Sequence, residues 1–218
     1  MQPATAIESL PLRHGILPRR RWLLAMLLPV LHGCGAEADD LAQVRRARTD
    51  FDAEVHRIEM RLEEARQRLG AETAVDLTDL ETRQSVADRQ SAVDRVLVMI
   101  EELRTYVDNE RAWSAALENA AVSPRGIASA LEQFRGDPER ARLRSMLTVE
   151  AEWYGSMRTF ITALHEYFGS WSVDASGGLV IAGDAAQPAR EAIEAAQAAL
   201  RKAGEKMQAA RRDDRSGR

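Results

Sequence analysis

Cys34 is the only cysteine in the 218 residues, so any thiol chemistry this chain takes part in happens there. The residues leading to it read Arg19-Arg20-Arg21-Trp22-Leu23-Leu24-Ala25-Met26-Leu27-Leu28-Pro29-Val30-Leu31-His32-Gly33-Cys34. Three arginines, a mostly apolar run, a small residue and then the thiol make the layout of a secretory leader that is cut off near its end. A helix over Trp22–Leu31 would rise about 15 Å. That is half of the roughly 30 Å hydrocarbon core a spanning helix must cross, and Pro29 would interrupt it. A removed leader fits this length and a transmembrane anchor does not.

The segment Leu31-His32-Gly33-Cys34 resembles the lipobox of bacterial lipoproteins. Leu31, Gly33 and Cys34 match the pattern. His32 departs from it, because a small or short aliphatic residue is usual there. The resemblance covers these four residues and the segment before them. It implies that Cys34 is diacylated on sulfur and that a dedicated peptidase, recognising Leu31 and Gly33, removes residues 1–33. It also implies a lipid-anchored protein on the periplasmic face of the outer membrane of a Gram-negative bacterium. In that family an aspartate after the cysteine favours inner-membrane retention, and here the residue is Gly35. Met1–Pro18 make the leader long, which leaves a later true start open. Arg19-Arg20-Arg21-Trp22-Leu23 also approximates a twin-arginine signal.

Other reactive side chains are sparse. If Cys34 is acylated, the body holds no thiol at all, which excludes a disulfide, a thiolate nucleophile or a zinc–thiolate site. His56 and His165 are its only histidines. A carboxylate-bridged di-iron bundle places Glu three residues before such histidines, but Ala53 and Thr162 stand there. Asp52 and His56, four apart, could pair, and a solvated helix face is the plainer reading. Gly177-Gly178 has no following helix or lysine and is no phosphate loop. Glu150 falls on an apolar seam. A buried carboxyl of this kind can be a general acid with raised pKa, or the partner of an arginine such as Arg104 or Arg111; pairing is expected. Trp113, Trp153, Trp171, Tyr106, Tyr154 and Tyr167 can line an aromatic ligand pocket or, at helical spacing, fill a core. No catalytic set, metal site or cofactor is expected.

Charge narrows the partners. Removing residues 1–33 takes away Arg13, Arg19, Arg20, Arg21 and Glu8, which turns 30 basic and 34 acidic residues into 26 and 33, a net charge of −7. Nucleic acid needs a basic footprint, so this charge argues against it and no nucleic-acid partner is expected.

The elements that would carry these residues are helical. Leu41, Val44, Arg48, Phe51, Val55, Ile58, Leu62, Ala65 and Leu69 alternate spacings of three and four, with Arg48 the only break. Gly70 is the expected C-terminal cap. Thr78 and Glu81 have capping-box spacing, which predicts a second helix from Thr78 to about Val122. Its stripe is Val93, Val96, Ile100, Leu103 and Val107, and is thin between Thr82 and Ser91. Ser123-Pro124 and Asp137-Pro138 each open a helix with Pro at its first position. The second of these, over Pro138–Phe168, carries two apolar rows: Leu143, Leu147, Glu150, Tyr154, Met157, Ile161, Leu164 and Phe168, and Met146, Trp153, Phe160 and Tyr167. So wide a face must touch at least two other helices. Gly169 stops it. Trp171–Val173 and Leu179–Ile181 flank the turn residues Asp174–Gly178 and read as a small β-hairpin. A last helix follows Gln187-Pro188, with Ile193, Ala196, Leu200, Ala203 and Met207 at heptad spacing.

The expected fold is all-α: an elongated antiparallel helical bundle with coiled-coil-like seams and one small β-hairpin before the last helix. Residues 1–33 form the leader, 34–40 the lipidated cysteine and a short linker, 41–210 the bundle, and 211–218 a frayed charged tail. This order is similar to an uncharacterised family of helical enterobacterial lipoproteins over the last third of the chain, a likeness that implies no catalytic residue. The expected function is non-catalytic: an envelope scaffold or binding partner for another envelope protein, attached to the membrane through acyl chains on Cys34. A carrier of a small hydrophobic ligand or lipid is the alternative. The surface for either is expected around Trp171, Val180, Trp113 and Trp153.

Overall fold

The computed structural model describes residues 36–70, 77, 80–175, 177–183 and 186–216. Leu31, Gly33 and Cys34 lie outside them. Among the described residues the order is α1 (Ala36–Leu69), α2 (Arg83–Val107), α3 (Glu110–Asn119), α4 (Pro124–Gly136), α5 (Pro138–Glu166), β1 (Trp171–Val173), β2 (Leu179–Ile181) and α6 (Gln187–Ser216). No described helix is long and apolar enough to cross a membrane.

Helix α1 forms because its heptad seam can be buried. Phe51, Val55, Ile58, Leu62 and Leu69 are in the core, joined by Ala47. The seam fades at Leu41, which is 41% exposed. Arg48 breaks the apolar pattern for a reason: its Nε donates to Asp52 at 3.0 Å, and its guanidinium stands 3.6 Å from Asp137, just before α5. The helix begins at Ala36, inside the stretch expected as a linker. Gly70 ends it at φ +68°, its amide donating to the Arg66 and Gln67 carbonyls.

Helix α2 starts later than Thr78, which lies outside the described residues. Thr82 is the N-cap: its hydroxyl accepts from the Ser85 amide at 3.0 Å, and the Ser85 hydroxyl accepts from the Thr82 amide at 3.1 Å. Glu81 precedes the helix. Leu77 and Leu80 are buried and neither is helical. Val86 is fully buried, which packs down the stretch whose stripe is thin.

Nor does that helix reach Val122. It ends at Val107, and Asn109 caps α3 by accepting from the Ala112 amide at 3.0 Å. The break is held from a distance by Arg140. Its Nε donates to the Val107 carbonyl at 3.0 Å, its other nitrogens reach the Phe134 carbonyl and Asp108, and its guanidinium carbon lies 3.3 Å from the Phe134 ring centroid. A cationic fork thereby satisfies carbonyls that two helix ends leave without helical partners.

Ser123 and Asp137, each followed by Pro, cap α4 and α5. Helix α5 buries Leu147, Glu150, Trp153, Tyr154, Met157, Phe160, Ile161 and Leu164, and packs on both α2 and α6. Phe168 falls beyond its end and is 37% exposed, because Gly169 at φ +97° turns the chain into the hairpin. There Trp171 pairs with Ile181, Ser172 with Val180 and Val173 with Leu179, antiparallel.

The long helices alternate in direction. Arg61 of α1 pairs with Glu102 of α2, Arg158 of α5 with Asp94 of α2 at 2.7 Å, and Lys206 of α6 with Glu152 of α5. Helices α3 and α4 cover the first half of α1. Helix α6 continues to Ser216, past the start of the expected frayed tail at residue 211, and Arg211 stands 3.7 Å from Glu150.

Gly155 sits inside α5 with nothing within 4 Å of where a Cβ would be. Glycine in a helix interior costs about 0.5–1 kcal/mol relative to alanine. Gly155→Ala should therefore raise the urea midpoint by the equivalent of that amount, and a lowered midpoint would show that the open space is needed.

Candidate functional site

The aromatic residues expected at a surface are mostly core. Trp113 stacks on Phe134 with centroids 5.7 Å apart and meets Phe51 edge-on at 5.5 Å. Trp153 meets Tyr154 edge-on at 4.6 Å and faces Gly204 of α6, whose missing Cβ would lie 3.6 Å from Trp153 Nε1. Trp171 is buried under the hairpin, and its Nε1 donates to the Leu164 carbonyl at 2.8 Å. Val180 alone of the four is exposed, at 39%. The structure does not bring these residues together: Trp113 lies near α4, Trp153 midway along α5, and Trp171 and Val180 in the hairpin.

Two solvent-open grooves flank the core. One, of about 420 Å³, lies between α1 and α2 and is lined by Ile58, Val98, Tyr106, Glu54, Glu101 and Glu102. Its carboxylates are already paired, with Arg57, Arg104 and Arg61 respectively. The other, of about 400 Å³, lies beside the hairpin against Leu80, Glu81, Phe168, Trp171, Val173 and Asp174.

The polar centre of the bundle is Glu150. It is 7% exposed and bridges two helices that share no broad interface. Arg66 of α1 donates to one carboxylate oxygen, and Arg211 of α6 stands 3.7 Å from the other. The expected pairing with an arginine is present, but the partners are not Arg104, which turns to Glu101 at 3.7 Å, or Arg111, which is exposed. Burial opposes the charge on Arg66 most strongly, yet Glu150, Tyr154 and Glu63 outweigh it and hold the guanidinium pKa above its ordinary value. Burial is also the main cause that pushes the Tyr154 hydroxyl up to about 12, against the pull of Arg66 and Arg211. With both oxygens engaged by guanidinium groups, Glu150 works as a tie between helices.

The histidines take no part in a cluster. His56 is largely exposed and stands 3.8 Å from Glu59, while Asp52 turns to Arg48 and does not pair with His56. Among the described residues no three His, Cys, Asp or Glu side chains gather as a metal-ligand set.

A second polar contact escaped the sequence reading. Asp40, near the start of α1, accepts from the Ser123 amide at 2.9 Å and from the Ser123 hydroxyl, which itself accepts from the Gly126 amide at 3.2 Å. Those two bonds from Ser123 hold the Asp40 carboxyl below the usual carboxylate range. A Cβ on Gly126 would lie 2.8 Å from Asp40 Oδ2. Glycine in the first turn of α4 is the visible trace of this close approach.

Comparison of the chain with protein-family models, curated proteins and solved structures returns no match.

Proposed function

We propose that this is a lipid-anchored envelope protein, held by acyl chains on Cys34 at the periplasmic face of the outer membrane of a Gram-negative bacterium, whose helical body is a non-catalytic scaffold or binding partner for another envelope protein. The observation that carries the anchor is the run from Arg19 to Cys34, with basic residues, an apolar stretch too short to span, and a lone thiol after Gly33. The scaffold role is favoured over the carrier because Trp113 and Trp153 pack against neighbouring rings and line neither groove. The groove beside Trp171 is the place a carrier would use.

Cells fed radiolabelled palmitate should label the wild-type chain and not Cys34→Ser, and globomycin should make the uncleaved precursor accumulate. Equal labelling of the two chains ends the anchor reading. Solvent extraction of the purified protein separates the two roles: a stoichiometric lipid or hydrophobic molecule in the extract would favour the carrier.

A further inference from the structure

Helix α1 begins only two residues after Cys34. Even fully extended, those residues span about 7 Å, and Asp40 follows about 6 Å further along the helix. The acyl chains of the proposed anchor therefore leave the protein close to the point where Asp40 is fastened to Ser123. Gly126 lets the two helices meet there, and Arg48 against Asp137 makes a second tie two turns further along α1. The start of α1 is thus fixed to the end of the bundle built by α3 and α4.

The hairpin lies at the opposite end. Helix α1 has 34 residues and rises about 50 Å over its length. At its far end Arg89 of α2 donates to the Leu69 carbonyl, and Gln90 of α2 meets Thr162 of α5 at 3.3 Å, shortly before α5 leads into the hairpin. Surface charge gives no competing pull: at a net −7 after removal of residues 1–33, the body has no general attraction to anionic lipid.

We propose that the acylated protein stands on the bilayer with its α3–α4 end against the lipid headgroups and its hairpin end about 50 Å away, and that the Asp40–Ser123 contact enforces this orientation. The proposal rests on the lipid-anchor reading of Cys34. It assigns the exposed face of α4, around Arg125 and Ser129, to the membrane surface, and leaves Phe168 and Val180 facing away from it.

Acylation uses the only native thiol, so one introduced cysteine can be labelled alone. Arg125→Cys and Val180→Cys are made in the acylated, membrane-extracted protein, labelled with a donor fluorophore, and reconstituted in phosphatidylcholine vesicles with an energy-transfer acceptor on their headgroups. Transfer should be severalfold stronger from position 125 than from position 180. Asp40→Ala, or Gly126→Val as a second way to part the same contact, should shrink that difference while the circular dichroism stays helical. Equal transfer from both positions in vesicle-bound, acylated protein would overturn the proposal, and so would a difference that survives both variants. If Cys34 instead reacts with maleimide and the protein ignores vesicles, the lipid anchor itself fails and the orientation falls with it. The comparison of the two labelled positions needs neither latch variant to fold.

Discussion

Glu150→Ala should destabilise the protein by about 3–5 kcal/mol, the usual cost of removing one partner from a buried ion pair. The expectation follows from where the remaining charges sit. The Arg66 side chain is 15% exposed, its Nε already lacks a hydrogen-bond partner, and Glu63 at 3.5 Å is its other carboxylate neighbour. Without Glu150, a largely buried guanidinium loses its main counter-charge, and α6 loses the contact through Arg211. Pairing Glu150→Leu with Arg66→Met should recover most of the loss, since well-packed apolar residues often replace a buried pair at no net cost. Urea denaturation of the single and double variants measures both. A single-variant loss below about 1 kcal/mol would mean that Arg66 finds water, and that the tie is the surface kind of salt bridge.

Much of this fold was legible because local chemistry and tertiary packing agree. The heptad seam of α1, the Ser-Pro and Asp-Pro openings of α4 and α5, and the glycines at residues 70 and 169 each state locally what the structure does. Where the reading missed, a distant residue decided. Nothing between Val107 and Glu110 breaks a helix by itself, since neither Pro nor Gly stands there. The chain turns because Arg140, some thirty positions later, supplies donors to the exposed carbonyls. The start of α2 reads from the spacing of Thr78 and Glu81, but the box that forms is Thr82 with Ser85, and Leu77 and Leu80 are buried before it.

The same limit governed the candidate site. Periodicity placed Glu150 on a buried seam, which implies a partner, but spacing within one helix cannot rank arginines on other helices. Arg66 and Arg211 lie far from it in sequence, one on the first helix and one in a stretch that reads as a tail. Asp40 reads as a helix-dipole residue, yet its carboxylate reaches across to Ser123. Helical spacing marks Trp153 and Phe160 as one row of α5, but a row does not say which side faces a neighbour. Once α3 and α4 fold over α1, Trp113 is enclosed by Phe51 and Phe134.

Trp171→Ala should lower stability by about 3–5 kcal/mol, the range for deleting a large buried ring. A two-stranded hairpin is marginal in water and must lay its apolar face on something. Here the Trp171 ring meets Phe168 edge-on at 5.8 Å and its Nε1 bonds the Leu164 carbonyl, while Arg190 of α6 reaches the Ala182 carbonyl at 3.3 Å. The hairpin thereby clips the end of α5 to the start of α6. Its rival role is an open strand edge that accepts a strand from a partner, and the register decides which variant tests that. The Asp174 amide donates to the Gly178 carbonyl at 2.8 Å, and the Ala182 amide to the Ser170 carbonyl at 2.9 Å. Antiparallel alternation then makes Ser172 and Val180 the hydrogen-bonded pair between them. Val180→Pro would break the ladder from inside and says nothing about the edge. The outward amide on β2 near its end belongs to Ile181, so Ile181→Pro is the edge variant. If Trp171→Ala leaves the thermal midpoint within about 1 °C of wild type, where the expected loss corresponds to roughly 6–20 °C for a body of this size, the clip is wrong. If Ile181→Pro then abolishes crosslinking to an envelope partner in cells while the fold persists, the edge is the binding site.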